Sequence, residues 1–450
     1  MKTSTSTAHP LVIICALVLV LCTALWAAPA DARVIRVANC DDAGPGTLRN
    51  AVALASSGDL ITLKQLACND IVLTSGQIVV PQASLTLVGN RKVTVDGNRN
   101  GRVFLHSGTG TLRLESLSVA NGVEPGTFVF GGCIYSWGRV ELFHARVHHC
   151  TAQRRGGLEP EAYGGGIAAA SVLVLHSKVY SNVAELFGKG GGIYSWGAVR
   201  IHQSQLYDNR AYEGGAVASE REPVSVSYSR IERNHADSRG GAIAAWGDAT
   251  INKTTIAGNR SNGQCGALCL FGRRNLILDS TLSSNSALYL SVGQMTGDAT
   301  IANSTIAFNR EEYTNPNYCS GAMFAMHLHL ENSILAKNTC AAGAGTDIAG
   351  EAGFSTVVGA NNIVGRTSLA LPSDTIRADP RLAPLADNGG PTPTHAPLPG
   401  SPAIDAGNNV FERLYDQRGP GYPRTRGPAP DIGAVEYCGH AGPHSHDAMH

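Results

Sequence analysis

One short motif, I-x-x-S-x-I-x-x-N, returns along the middle of the chain and leaves few folds open to it. Its closing asparagine stands at Asn182, Asn209, Asn234, Asn259, Asn285, Asn309 and Asn338, at intervals of 24 to 29 residues, and an earlier unit closes with Cys150 in that place. Three residues before each close stand Val147, Val179, Leu206, Ile231, Ile256, Leu282, Ile306 and Leu335. Eight before it stand Leu142, Val174, Ile201, Val226, Ile251, Ile277, Ile301 and Leu330. The place five before the close is small throughout: Ala145, Ser177, Ser204, Ser229, Thr254, Ser280, Ser304 and Ser333. A residue type that returns once per unit at a fixed place must stack on its own counterpart. The aliphatic columns therefore predict ladders inside a tube, and the small column marks where the wall turns.

Each unit opens with a second signal. Ile134, Ile167, Ile193, Val217, Ile243, Leu268 and Met323 follow G-G or a near variant, and these apolar positions are expected to point inward. Glycine before them permits a sharp corner. Short segments with β-branched residues, cut by turn residues and lacking a sustained 3.6-residue period, argue for strands. With 52 Gly and only 16% charged residues, composition agrees. An antiparallel sandwich has no reason to repeat one motif in register, whereas stacked parallel strands do. The expected fold is all-β: a right-handed parallel β-helix solenoid with coils of about 25 residues over 123–365 and an N-terminal cap with the first coils over 33–122. The asparagines are expected to form a turn ladder, tolerating left-handed backbone and bonding amide to amide, rather than a calcium or catalytic row.

Lys2, the apolar run Leu11 to Trp26 and Ala30-Asp31-Ala32 read as a signal peptide over 1–32, with Arg33 the first mature residue. The run is shorter than the ~20 residues a spanning helix needs, so no membrane span is expected after cleavage. Lys plus Arg equals Asp plus Glu at 35 each, which gives no net field toward nucleic acid. Nine cysteines remain in the exported chain, free to oxidise, and their odd number leaves at least one unpaired. Proximity in sequence pairs Cys40 with Cys68, Cys133 with Cys150, and Cys319 with Cys340. Cys265 and Cys269, in an extended segment, would be about 13 Å apart and too far to bridge. No second cysteine pair stands at zinc-ligand spacing. The tail over 438–450 carries His440, His444, His446 and His450, weak metal-ligand candidates set against a solvated tail rich in Gly, Pro and Ser. No cofactor is expected, and the chain is read as a monomer.

Two segments outside the coils resemble a known group. Asp41 to Val52, D-D-A-G-P-G-T-L-R-N-A-V, followed by Ser57-Gly58-Asp59-Leu60-Ile61, resembles the opening of bacterial pectin-lyase-fold proteins with an S-L-R-x-A-I motif. D-P-R-L-A-P-L-A-D-N-G-G-P-T-P-T-H from Asp379, G-S-P-A-I-D-A-G from Gly400, D-Q-R-G from Asp416 and D-I-G-A-V-E-Y from Asp431 make 366–437 resemble the choice-of-anchor Q domain. The G-G-A-I coils resemble polymorphic outer-membrane repeats. The resemblance implies a β-helix that is secreted, periplasmic or at the bacterial cell surface, and no particular reaction. Such proteins often carry a sorting anchor after the final motif, where this chain has a short polar tail. Asp387, Asp405, Asp416, Arg418 and Asp431 are expected to be turn and capping residues that close the end of the solenoid.

No catalytic residues are assigned. A glycoside hydrolase needs two carboxylates facing one cleft, and a lyase needs a base with a group that neutralises the uronate. Segments of the N-T-D, D-D and R-I-K type form no convincing set. Asp41-Asp42 precedes the coils, and Glu220 is the only acid at its place on the main strand. Lys253 and Asp279 share a turn column with His144, His176, Gln203, Tyr228, Asn303 and Asn332, read as solvated turn residues. A more informative column is aromatic. If Ile134, Ile193 and Ile243 point inward, alternation sends Tyr135, Trp137, Tyr194, Trp196, Trp246, Phe271 and Phe324 outward. Coils stack ~4.8 Å apart, similar to one sugar unit along a glycan. The stripe therefore either binds polysaccharide or another cell-surface component, or is covered by a loop such as Thr151 to Tyr163. A polysaccharide lyase or glycoside hydrolase is the first alternative, and a structural or adhesion protein the second.

Overall fold

One repeat makes one coil of three faces. In the coil that opens at Ile193, Ile193–Ser195 and Val199–His202 lie in the first sheet, Gln205–Tyr207 in the second and Arg210–Glu213 in the third. The next coil opens at Val217, which pairs in parallel with Ile193, as Val226 does with Ile201 and Ile231 with Leu206. Among the described residues repetition builds sheets of 20, 12 and 10 strands, parallel except for the last pair of the smallest. The chain is thus a right-handed parallel β-helix. The computed structural model describes residues 32–439 except 156–161, 316–318, 342 and 352. The signal segment up to Asp31 and the candidate ligands His440, His444, His446 and His450 lie outside the described residues.

The core follows from the columns. The residue eight before each closing position, Leu142 through Leu330, is at most 1% exposed, and the strand-opening residues Ile134 through Met323 are 0% exposed. The small column turns the wall: Ser177 N donates to Ser204 Oγ and Ser204 N to Ser229 Oγ, each at 3.0 Å, one rung per coil. The asparagine column is also a ladder, but not at the left-handed position. Positive φ falls on the residue before it, as at Ser181, Asp208 and Arg233, while each asparagine turns inward and is almost fully buried. Inside, each amide satisfies backbone groups that a tight turn would otherwise orphan.

Corners explain the glycines and one surprise. A Cβ on Gly165 would sit 2.3 Å from Gly191 O of the next coil, so that position stays bare. The residue before it has positive φ at Gly164, Gly190, Gly214 and Gly240, and Cys265 takes this place with φ +60. That corner folds the chain back and brings the Cys265 and Cys269 Cα atoms to 5.5 Å, where they form a disulfide, contrary to the extended-segment expectation. Cys40–Cys68 and Cys133–Cys150 are bonded as expected. Cys319 and Cys340 are not bonded. Their thiols are hydrogen-bonded neighbours, and burial, then that contact, push Cys319 up to about 11.

At the N-terminus the seven-residue helix Leu48–Leu54 caps the tube with Leu48, Ala51 and Val52 buried. Asp42 fastens this cap. Its carboxylate takes Arg49 at 2.6 Å and the backbone N–H groups of Thr74 and Ser75 at 2.9 and 2.6 Å. Burial opposes ionisation, but hydrogen bonds from Ser75, Arg49 and Thr74 outweigh it and hold the carboxyl well below the usual carboxylate range. A depressed folded-state value contributes stability above the unfolded value of about 3.9, and that contribution is lost as pH falls through the folded one. Asp42→Asn should therefore melt below wild type at pH 7, with the gap closing as pH drops from about 4 to 2. A gap independent of pH would remove this role.

The C-terminal segment does not merely close the end, as the motifs suggested. It runs back over the outer face of the second sheet. Arg230 donates to Pro391 O, Thr255 to Pro393 O, and Gln417 holds both Thr255 and Thr281. His395 bonds Ser283 at 2.8 Å, and Ala434 N donates to Thr305 at 3.0 Å. Lys253 and Asp279 are consequently not solvated: they are 7% and 0% exposed, with Asp279 3.3 Å from Arg413 and Lys253 donating to Tyr415 O at 2.8 Å. Of the motif acids, Asp416 pairs with Arg418 at 2.5 Å, buried, as a structural pair should be.

Candidate functional site: the strand-face channel

The outer face of the first sheet carries three parallel columns. The middle one runs Tyr135, Ala168, Tyr194, Ala218, Ala244, Cys269, Gln294, Phe324, in register coil after coil. Two residues along each strand stand Trp137, Ala170, Trp196, Glu220, Trp246 and Phe271. On the other side, at the corner with the third sheet, bridges link Phe130, Tyr163, Lys189, Glu213, Arg239, Gln264 and Tyr289. Ala168, Ala218 and Ala244 point away from the core yet are 0% exposed, because the flanking columns lean over them. The result is a channel along the helix axis, filled in its middle and open at two places.

The cover over the aromatics comes partly from where it was expected. Phe130 and Tyr163 form a small two-stranded sheet, and their rings stack at 5.0 Å. Phe130 lies 5.3 Å from Tyr135 and 5.4 Å from Trp196, and Tyr163 lies 4.7 Å from Tyr194. Arg102 fixes this lid by donating to Phe130 O and Gly131 O at 3.1 and 2.9 Å, with its guanidinium over the Tyr135 ring. Tyr194 is therefore 1% exposed, not part of an open stripe, and burial with a hydrogen bond to Glu220 raises its hydroxyl pKa. Trp246 packs on Phe271 at 5.4 Å under Lys189. Trp137 stays open, 57% exposed, at the lip of a pocket of about 330 Å³ formed with Tyr135, Ser136, Ala170 and Trp196.

A larger pocket, about 640 Å³, opens where the channel reaches the last coils, between Tyr289, Tyr313, Phe324 and Thr346. Tyr289 continues the corner column of Phe130 and Tyr163, whose mixed residue types hide it from column counting, and Tyr313 lies in an irregular connection.

The channel's acids are all engaged. Glu213 is held by Arg239 at 3.0 Å and Lys189 at 4.0 Å, and Glu220 by Tyr194. Ser136 Oγ lies 2.7 Å from His106 Nδ1, an arrangement suggestive of a nucleophile, but both residues are 0% exposed and the hydroxyl also accepts from Gly138 N. A hydrogen-bonded interior pair explains it fully. Among the described residues no group of His, Cys, Asp and Glu stands ready to hold a metal.

Fold and channel together define a right-handed parallel β-helix with an aromatic strand face. No family model matches the chain, and no curated protein matches it. Among solved structures, pectate lyase Pel9A is similar over 90% of this chain and 97% of that one, at 14% identity and a TM-score of 0.49. The PL6 family alginate lyase AlyGC is similar over 80% of this chain and 55% of that one, at 14% identity and a TM-score of 0.39.

Proposed function

We propose that the protein binds a polysaccharide at its strand face, with Trp137 as the contact ring and Tyr135 and Trp196 as the fixed wall behind it. The supporting observation is the contrast within one column. Trp137 is a large exposed ring at the irregularity between Ser136 and Arg139, while its neighbours Tyr135 and Trp196 are packed against Phe130. Exposed aromatic rings held on a rigid frame bind sugar faces at little entropic cost. Three disulfides suit an oxidising compartment, and the partner is read as a polysaccharide of the cell surface or its surroundings. No helix among the described residues is long and apolar enough to cross a membrane.

Trp137→Ala should weaken polysaccharide pull-down by about tenfold or more with an unchanged melting temperature. Trp196→Ala should act differently, losing about 1–2 kcal/mol of stability because its ring packs on Tyr194 and Phe130. If wild type retains no polysaccharide from a broad panel, or Trp137→Ala retains as much as wild type, the binding role fails. Following the same mixtures for newly formed chain ends reports any cleavage.

A further inference from the structure

The second sheet carries an accumulation of positive charge that the strand-face reading does not use. Among the described residues the C-terminal segment bonds to this sheet from the coil of Arg230 onward, and no such bond reaches the earlier coils. There Ser118, Arg146 and Lys178 stand in register on successive coils. Beside them His144 and His176, both on the left-handed turn, stack with centroids 4.9 Å apart. Arg91 reaches in from its own left-handed turn, and these six side chains line a cleft of about 160 Å³. Among the described residues Arg91, Arg146 and Lys178 have no ion pair and no side-chain hydrogen bond, so their donors are available to a ligand.

Asp96, two coils before His148 on the same sheet, accepts from Asn98 N at 2.7 Å and Asn121 Nδ2 at 2.8 Å, and among the described residues it forms no ion pair with Arg91, Arg146 or Lys178. Burial, then His149 and Arg146, push His148 down to about 4, so it sits neutral in its stack with Tyr180 and Tyr207. Those rings stack along the axis and turn their edges outward, which leaves no platform for a sugar face. What remains is three cationic residues, a serine and two histidines lining a space the size of about five waters at ~30 Å³ each.

We propose that this cleft is an oxyanion site that takes a phosphate or sulfate group, free or esterified on a glycan. Two cations on a rigid strand register and a third from the turn would hold the oxygens of a tetrahedral anion, with Ser118 completing the shell. The site is separate from the Trp137 pocket and stands or falls independently of it.

Calorimetric titration of the disulfide-bonded protein with inorganic phosphate, inorganic sulfate and a sulfated polysaccharide tests this. Wild type should bind, and Arg146→Gln or Lys178→Gln should each weaken binding by about tenfold or more, with melting temperatures in oxyanion-free buffer unchanged. Trp137→Ala should bind as wild type does. Comparable affinity for the ions and the polymer identifies a free anion as the ligand, and markedly tighter polymer binding identifies the ester. No heat with any of the three probes, or equal binding by wild type and both glutamine variants, would overturn the site.

Discussion

Ile251→Asp should unfold the coils around it, while Thr250→Asp, one residue away, should leave the melting temperature nearly unchanged. Ile251 is 0% exposed between Val226 and Ile277, its register partners in the coils before and after. A carboxylate there meets only aliphatic register partners and must either remain charged in a low-dielectric interior or fold only when protonated. The cost is at least about 5 kcal/mol, beyond what most point substitutions inflict. Thr250 points outward on the same strand, so the pair reads the register directly. An Ile251→Asp variant that melts with wild type would show that the stacking order is wrong.

Asn234→Ala is expected to be nearly as damaging, although it deletes only a small polar group. Asn234 Oδ1 accepts both the backbone N–H and the Nδ2 of Asn209, at 3.0 and 2.9 Å. Its own Nδ2 serves Leu206 O at 3.0 Å and Asn259 Oδ1 at 2.9 Å. Truncation orphans two buried donors on one side and weakens the acceptors on the other. At 1–3 kcal/mol for each stranded group, the loss is about 3–5 kcal/mol. Asn234→Asp should not rescue it, since a carboxylate keeps the acceptor but cannot donate to Leu206 O. Urea unfolding of the two variants beside wild type measures this, and a midpoint unchanged in Asn234→Ala would reduce the ladder to decoration.

Features that repeat were legible in the sequence, and features that depend on a single partner were not. The aliphatic, serine and asparagine columns each recur once per coil, so stacking alone predicts their place. Even there the asparagine's backbone state was misjudged, because composition cannot tell which of two adjacent turn residues takes the left-handed angle. The Cys265–Cys269 bond was missed because it depends on a corner, where spacing along an extended strand does not apply. Lys253 and Asp279 looked like any other members of a polar turn column. Only the path of the C-terminal segment, joined to them across more than a hundred residues, shows that they are buried. The aromatic column was visible, but its division into an exposed Trp137 and a closed Tyr194 depends on Phe130 and Tyr163, which share a once-per-coil place of mixed residue type that no common chemistry marks. Arg91, Arg146 and Lys178 come from three coils and two kinds of position, and no pattern search would have placed them together.

The doubling back of the C-terminal segment has a consequence for the order of events in folding. Neighbouring coils close loops of only some two dozen residues, so they can stack one after another as the chain lengthens, and loop length adds little to the cost. The bonds from His395 to Ser283 and from Lys253 to Tyr415 span 112 and 162 residues, and their partners exist only once those coils are in place. The segment is therefore a late clasp. A solenoid is ordinarily weakest at its last coil, where fraying begins. Here the coils from Arg230 to Asn332 are fastened side by side from outside. That end must release several coils in one step or none, which turns a gradual unwinding into a single high barrier.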